Sequence, residues 1–321
     1  GDYEGGQRAL ARAAALAPNY SGPRWYLGNL LLRAGREREA FAELRRAAAI
    51  DPRLHTQIFA TASAFYGGDL RAVADAVGDS PEARARLIDY LLSQKRLDEA
   101  SAVWATLAPA DRRTQGQTGK GLSGALVAAG RLRQALEAFR DYTGAGQEIA
   151  AGQMVNGGFE SEIGGASASP FDWVIKPVSQ ARMGFDIRNA HGGARSLLVV
   201  FSAPNDFAFG QFSQLVIVEP QARYRLTYFV RAEEMKGAST LLVEVSAGGQ
   251  RLASGPPVPA GSSDWREESI EFTTPARGES VEVRVVRSPC TDQPCPVFGK
   301  VWYDDFNLQR LSGATPQRAT K

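Results

Sequence analysis

Two periodicities divide the chain. Up to about Tyr142, apolar residues return at helical spacing, as in "LIDYLLSQKRLDEASAVW" and "ALVAAGRLRQALEAF". Further on, the pattern alternates with period two. In "ARYRLTYFVRA" one face carries Tyr224, Leu226, Tyr228 and Val230, and the other carries Arg225, Thr227, Phe229 and Arg231. "STLLVEVSA" sets Leu241, Val243 and Val245 against Leu242, Glu244 and Ser246, and "ESIEFTTP" and "SVEVRVVRS" behave alike. These patterns predict a multidomain α + β protein. Helices fill 1–142, a Gly/Ala linker spans 143–152, nine or ten short strands build an all-β sandwich over 153–311, and a tail follows at 312–321.

The helical half repeats itself. "ALARAAALAP" (9–18) and "ELRRAAAIDP" (43–52) lie 34 positions apart, so that Leu10 matches Leu44, Ala13 matches Ala47 and Pro18 matches Pro52. Gly28 and Ala40 are small where two helix backbones approach, and Pro52 stops the second helix. The crossing residue recurs at Ala74, Ala100 and Ala135, with spacings of 34, 26 and 35. The short interval has a cause in "DLRAVADAVGDSPEA": a brief helix ends at Gly78, and the next starts with Ser80 as N-cap and Pro81 at its first position.

The stretch "PRWYLGNLLLRAGREREAFAELRRAAAIDP" resembles a tetratricopeptide repeat, and the resemblance covers roughly residues 1–142. It implies an all-α solenoid that binds a peptide or partner protein along the groove lined by the first helix of each pair. Carried over by repeat position, that groove receives Trp25, Asn29, Arg33, Asp89 and Lys120, although Trp25 reads equally well as packing between helices. Residues 1–17 read as the second helix of a repeat whose first helix is missing. Gly6 stands at the crossing position, and Leu10, Ala13, Ala14 and Leu16 form an open apolar edge. Two readings follow: removal of upstream repeats, or docking of the open end onto a neighbouring subunit, a head-to-tail homo-oligomer that builds rings or filaments.

The strand-rich half has its own signature. "NGGFE", "FDW", "SSDW" and "VWYDDFNLQ" resemble a carbohydrate-binding-module jelly roll of the galactose-binding-like type, grouped around families 4, 9 and 22, over roughly 153–311. The resemblance implies a structural calcium tying the first strand to the last, with Glu160 and Asp304 or Asp305 as ligands. Asp304 shares the parity of Phe306 and Leu308, so it is expected to point inward, held by the cation or by backbone amides or an arginine. By the same parity Trp302 reads as core, and so does Trp173 beside Phe171 and Ile175. The candidate carbohydrate-binding residues are Arg225, Phe229, Arg231, Glu244 and Trp265 on outward positions, with Glu267 and Glu271 beside them; the same set describes a solvated sheet face.

Charge and cysteine usage narrow the function. The 321 residues carry 37 Lys+Arg against 35 Asp+Glu; split at residue 150, the halves are +3 (20 − 17) and −1 (17 − 18). Neither half has the basic excess that favours phosphate backbones, so nucleic acid is not an expected partner. No apolar run approaches the roughly 20 residues of a membrane span. The opening at Gly1 reads as the start of a mature or excised segment. Cys290 and Cys295, in "SPCTDQPCP", are expected to form a disulfide, with two reduced thiols as the alternative; His55 and His191 lie too far off to complete a zinc site. A disulfide places the protein outside the cytoplasm, secreted, at the cell surface or in a periplasm. Thirty-one Arg against 6 Lys suits a GC-rich bacterial genome.

Catalytic motifs are scarce. "TGKG" (118–121) lacks the rest of a phosphate loop, and neither a GxSxG elbow nor an HExxH helix is present. The combined architecture resembles bacterial proteins associated with surface polysaccharide. The expectation is therefore a non-catalytic scaffold or adaptor that couples a protein partner to a glycan. The rivals are a subunit of an extracellular assembly or filament, and an enzyme acting on polysaccharide.

Overall fold

A computed structural model describes residues 2–144, 152–163, 169–204, 207–210, 212–290 and 294–311. Positions 145–151 of the expected linker and the expected tail at 312–321 lie outside the described residues. The chain forms two compact units, one built mainly of helices and one mainly of strands.

The helices are α1 (Tyr3–Leu16), α2 (Ser21–Arg33), α3 (Glu37–Ile50), α4 (His55–Phe65), α5 (Leu70–Val77), α6 (Pro81–Ser93), α7 (Leu97–Ala105), α8 (Pro109–Thr114), α9 (Gly116–Ala128) and α10 (Leu132–Thr143). Small residues set how closely they pack. A Cβ on Gly28 of α2 would stand 2.7 Å from Leu44 Cγ and 3.0 Å from the Ala40 carbonyl of α3. Gly119 does the same for α9, where a Cβ would lie 2.7 Å from the Trp104 ring and 2.8 Å from Tyr142 Cβ. The "TGKG" stretch is thus helix interior. The crossing residues Ala40, Ala100 and Ala135 are fully buried, whereas Ala74 is half-buried. α5 ends at Gly78 with φ +110°, and Ser80 Oγ accepts the Ala83 N–H at 3.1 Å to start α6.

One expectation is only partly met at the first helix. Ala14 is buried, and Leu10 packs against the cluster of Leu27, Leu31 and Ala40, so this part of the face is turned onto α2. The α1–α2 pair covers Leu10 and Ala14 of that stripe but not Leu16. Exposed along α1 and α2 are Leu16, at 70 %, Tyr20 and Tyr26, each at 65 %, and Tyr3, at 50 %.

The strands are β1 (Val174–Ile175), β2 (Ala181–Asp186), β3 (Ser196–Ala203), β4 (Phe212–Ile217), β5 (Arg223–Lys236), β6 (Leu241–Ala247), β7 (Gln250–Ser254), β8 (Gly261–Thr273), β9 (Ser280–Arg287) and β10 (Val297–Leu311). They make two five-stranded antiparallel sheets, β1-β4-β9-β6-β7 and β2-β3-β10-β5-β8, packed as a jelly-roll sandwich. The alternation in the sequence sets the core: Tyr224, Leu226, Tyr228 and Val230 of β5 face inward with Val243 and Val245 of β6 and Val281, Val283 and Val285 of β9. Trp173 joins this core, stacked on Phe212 at 4.3 Å, and Phe171 is buried nearby in the sequence.

β10 breaks its own alternation. Its register against β5 shifts between Asp304 and Asn307, and Asp305 sits at φ +49° in the extra position. Val301 and Tyr303 lie in the core before this bulge, and Phe306 and Leu308 after it. Trp302 and Asp304 therefore leave the sheet on its outer side, opposite Arg231 and Phe229, and not inward as parity suggested. Both are buried all the same, under the 186–195 segment.

Candidate functional site

The expected calcium ligands, Glu160, Asp304 and Asp305, are hydrogen-bonded to protein. Glu160 Oε1 accepts the backbone N–H groups of Ala194 and Arg195 at 3.0 and 3.3 Å, and Arg195 Nε donates to the Phe159 carbonyl at 2.6 Å. Asp304 Oδ2 accepts from His191 N and Gly192 N at 2.8 and 3.2 Å, and its Oδ1 accepts from Asp305 N at 2.8 Å. Burial raises the Asp304 pKa, and the three amides pull it partly back. Asp305 Oδ2 meets His191 Nδ1 at 2.7 Å, and Phe306 N donates to the Gly157 carbonyl at 3.0 Å. Calcium takes six to eight oxygens. Here both Asp304 oxygens face N–H donors, and among the described residues no group of three His, Cys, Asp or Glu side chains is set to hold a metal. Glu160, Asp304 and Asp305 thus each take hydrogen bonds from the 191–195 turn. The amides do the tying that the cation was expected to do.

The "HGG" turn that makes this clamp escaped the sequence reading. A Cβ on Gly192 would lie 2.5 Å from Asp305 Oδ2, and one on Gly193 (φ +60°) 2.2 Å from Glu160 Oε1. Paired glycines after a histidine were the available signal.

On the outer face of β5 the expected sugar-binding residues are largely occupied by neighbours. Arg225 and Arg223 share Glu271, at 2.6 and 2.8 Å. Phe229 is covered by the His191 ring, stacked at 3.5 Å, and Trp265 meets His191 edge-on at 5.8 Å. Arg231 donates to Asn189 Oδ1 at 2.5 Å and lies 5.2 Å over Trp302, whose Nε1 donates to Asp186 Oδ2 at 2.8 Å. The structure brings Phe229, Arg231 and Trp265 together around the 186–191 turn, while Arg225 stands apart in its ion pairs.

Glu244 belongs elsewhere. It lies on β6, in the other sheet, at an open cleft of about 410 Å³ whose lining includes Phe209, Leu242, Arg251, Arg284, Val286 and Arg287. Strand β6 is buried on both sides, Leu241, Val243 and Val245 in the core and Leu242, Glu244 and Ser246 opposite. Glu244 is 8 % exposed and accepts from Arg284 Nη2 at 2.5 Å, directly across the strand pair. Arg284 Nε is buried without a hydrogen-bond partner, 3.8 Å from Glu282 Oε2. Arg251 Nη1 stands 3.9 Å from Glu244 Oε2, and its side chain is 58 % exposed.

Of the expected groove residues on the helices, Trp25, Asn29 and Arg33 follow one another along α2, and Asn29 Nδ2 donates to the Trp25 carbonyl at 2.8 Å. Trp25 is half-buried and Arg33 exposed. Asp89 of α6 accepts from Thr118 Oγ1 of α9 at 3.3 Å, and Lys120 lies half-buried on α9. The sequence reading did not find two hollows, of about 410 and 440 Å³, that share Arg45 in their linings.

No family model matches this chain, and no curated protein does. Among solved structures the chain is similar to a cyclase from Fischerella sp. TAU solved with 4-(1H-indol-3-yl)butan-2-one, at 17 % identity and a TM-score of 0.37, over 51 % of this chain and 99 % of that one. It is also similar to a CBM4 module, at 15 % identity and TM-score 0.37, over 49 % and 99 %. A third is the C-terminal family 22 carbohydrate binding module of a Clostridium thermocellum protein, at 14 % identity and TM-score 0.32, over 50 % and 96 %. The expectation of a non-catalytic protein is corrected by the first of these: cyclases stand among the similar structures beside binding modules.

Proposed function

We propose that the sandwich is a glycan-binding module whose site is the Glu244 cleft. The helical half, read as a tetratricopeptide-type array, would dock a partner protein, so that the chain acts as an adaptor outside the cytoplasm. The observation that carries the glycan reading is the buried Arg284 Nε without an acceptor, at the cleft that also holds Glu244. A buried donor of this kind calls for an acceptor from a ligand or from water. Sugar rings offer hydroxyl acceptors and donors beside apolar C–H faces, which match the Arg284–Glu244 pair and the Leu242 and Val286 lining. Exposed Leu16, Tyr20 and Tyr26 support protein contact by the helices. The Cys290–Cys295 disulfide supports the extracytoplasmic location.

Electrophoresis of the full chain through gels containing soluble polysaccharides of several linkages and charges tests the reading. Retardation by at least one polymer is expected, with loss of retardation and an unchanged fold in Glu244→Gln. No retardation by any of them refutes it.

A further inference from the structure

Resting on the cleft as the glycan site, we infer that the Cys290–Cys295 disulfide is an exchangeable bond that regulates it. A thiol opens the bond at Cys290, Cys295 leaves onto Arg287, and the rim of the cleft loosens. The disulfide lies in the connection between β9 and β10. Cys290 directly follows Pro289, which lines the cleft together with Arg287.

Arg287 joins the bond to the cleft. Its Nη2 donates to the Cys295 carbonyl at 2.5 Å and to Cys295 Sγ at 3.1 Å. Its Nε and Nη1 donate to the carbonyls of Ser239 and Phe207 at 3.3 and 3.4 Å. One guanidinium thus pins the β3–β4, β5–β6 and β9–β10 connections beside one another. The two sulfurs are not equivalent. Cys295 is 1 % exposed and touches this cation, whereas Cys290 is half-buried and more open to a reagent. In thiol–disulfide exchange the bond breaks toward the sulfur that better carries negative charge. A guanidinium beside Sγ favours that charge, so Cys295 is the leaving group and Cys290 the sulfur attacked.

The reductant is a dithiol. Its thiolate forms a mixed disulfide with Cys290 and displaces Cys295 as a thiolate paired with Arg287. Its second thiol then closes on the first and frees Cys290. The dithiol gives up two electrons, which the disulfide takes, and two protons, one to Cys290 and one to solvent. Cys295 stays on Arg287, but Cys290 loses its covalent tie, and Pro289 has no backbone N–H to hold it. Ser288 N still donates to the Thr240 carbonyl at 2.8 Å, so the strands keep their pairing and the loosening is confined to the rim beyond them. Glycan affinity falls because that rim must be ordered on binding.

To test the chemistry, the full chain is incubated with glutathione, quenched with iodoacetamide and mapped by tandem mass spectrometry. Glutathione is expected on Cys290 and the alkyl group on Cys295. The reverse pattern, or no reaction in the folded protein, overturns the inference. Arg287→Gln is expected to slow opening by dithiothreitol about tenfold, and an unchanged rate in a folded variant overturns the role of Arg287. The labelling pattern needs no variant and decides the matter if Arg287→Gln does not fold. For the regulation, retardation in gels of xylan, mixed-linkage β-glucan, galactan and polygalacturonate is compared between the oxidised chain and the chain held reduced by dithiothreitol. Affinity for a polymer that retards the oxidised chain is expected to drop about fivefold on reduction, and the double variant Cys290→Ser, Cys295→Ser should match the reduced form. Equal or stronger retardation of the reduced form overturns the regulation and leaves the glycan reading standing. No retardation of either form sinks both.

Discussion

Asp304 takes the backbone N–H groups of His191 and Gly192 on one carboxylate oxygen, joining β10 to a turn 113 residues earlier in the chain. Its partner oxygen holds Asp305 N, so the acid is satisfied by protein alone. Asp304→Ala would leave these buried amides without acceptors. The expected cost is about 2–4 kcal/mol of sandwich stability, read by urea unfolding. Because three backbone N–H groups already tie Asp304 in place, excess chelator should leave the melting temperature of the full chain unchanged. A rise in melting temperature with added calcium would contradict this account.

The two buried-edge carboxylates respond to pH in opposite directions. Burial raises Asp186, but its bonds from Asn189, Arg188 N and Trp302 Nε1 outweigh that, and the net shift is downward from the ordinary 3.8. Its contribution is present above the unfolded value and lost as pH falls through the folded one. Asp304 is shifted up by burial, so its contribution is present below the unfolded value and lost as pH rises through the folded one. Asp186→Asn should flatten the loss of stability below about pH 4, and Asp304→Asn should steepen it. Stability curves against pH for the two variants check the signs; matching slopes would show that neither shift matters.

Gly28 fixes the α2–α3 crossing. A methyl there meets Leu44 and the Ala40 carbonyl at 3.0 Å or less. Gly28→Val is expected to destabilise the helical unit by about 1–3 kcal/mol, whereas Gly124→Ala, where nothing lies within 4 Å, should be neutral or mildly stabilising. Helical circular dichroism during melting separates the two.

Much of this architecture was legible in the sequence. Period-two alternation placed Tyr224–Val230 inward correctly because β5 faces one dense core throughout that run. The 34-residue repeat marked Gly28 and Ala40 because close backbones tolerate nothing larger. The candidate site was harder to read. Alternation carries no record of which sheet a strand joins, so Glu244 was grouped with Phe229 although their strands lie in different sheets. The same rule failed at Asp304 and Trp302, since one extra residue in β10 inverts every side chain before it relative to those after it. The His191 turn was invisible for another reason: its role depends on contacts with residues far along the chain.

That inversion makes the bulge itself testable. Asp305 occupies φ +49°, a conformation that Asp and Asn tolerate better than other residues with a Cβ, and that β-branched residues resist. Asp305→Asn keeps this tolerance and retains a side-chain oxygen for His191, so a loss below about 1 kcal/mol is expected. Asp305→Val removes the contact and places a branched side chain in the left-handed region, with an expected loss of about 2 kcal/mol or more. Asp305→Gly separates the two effects, because it relieves the backbone while losing the His191 contact, and should fall between them. Urea unfolding of the three variants gives the order. If Val is tolerated as well as Asn, the register shift does not depend on the conformation of residue 305, and the outward placement of Trp302 and Asp304 must be held by the 186–195 segment alone.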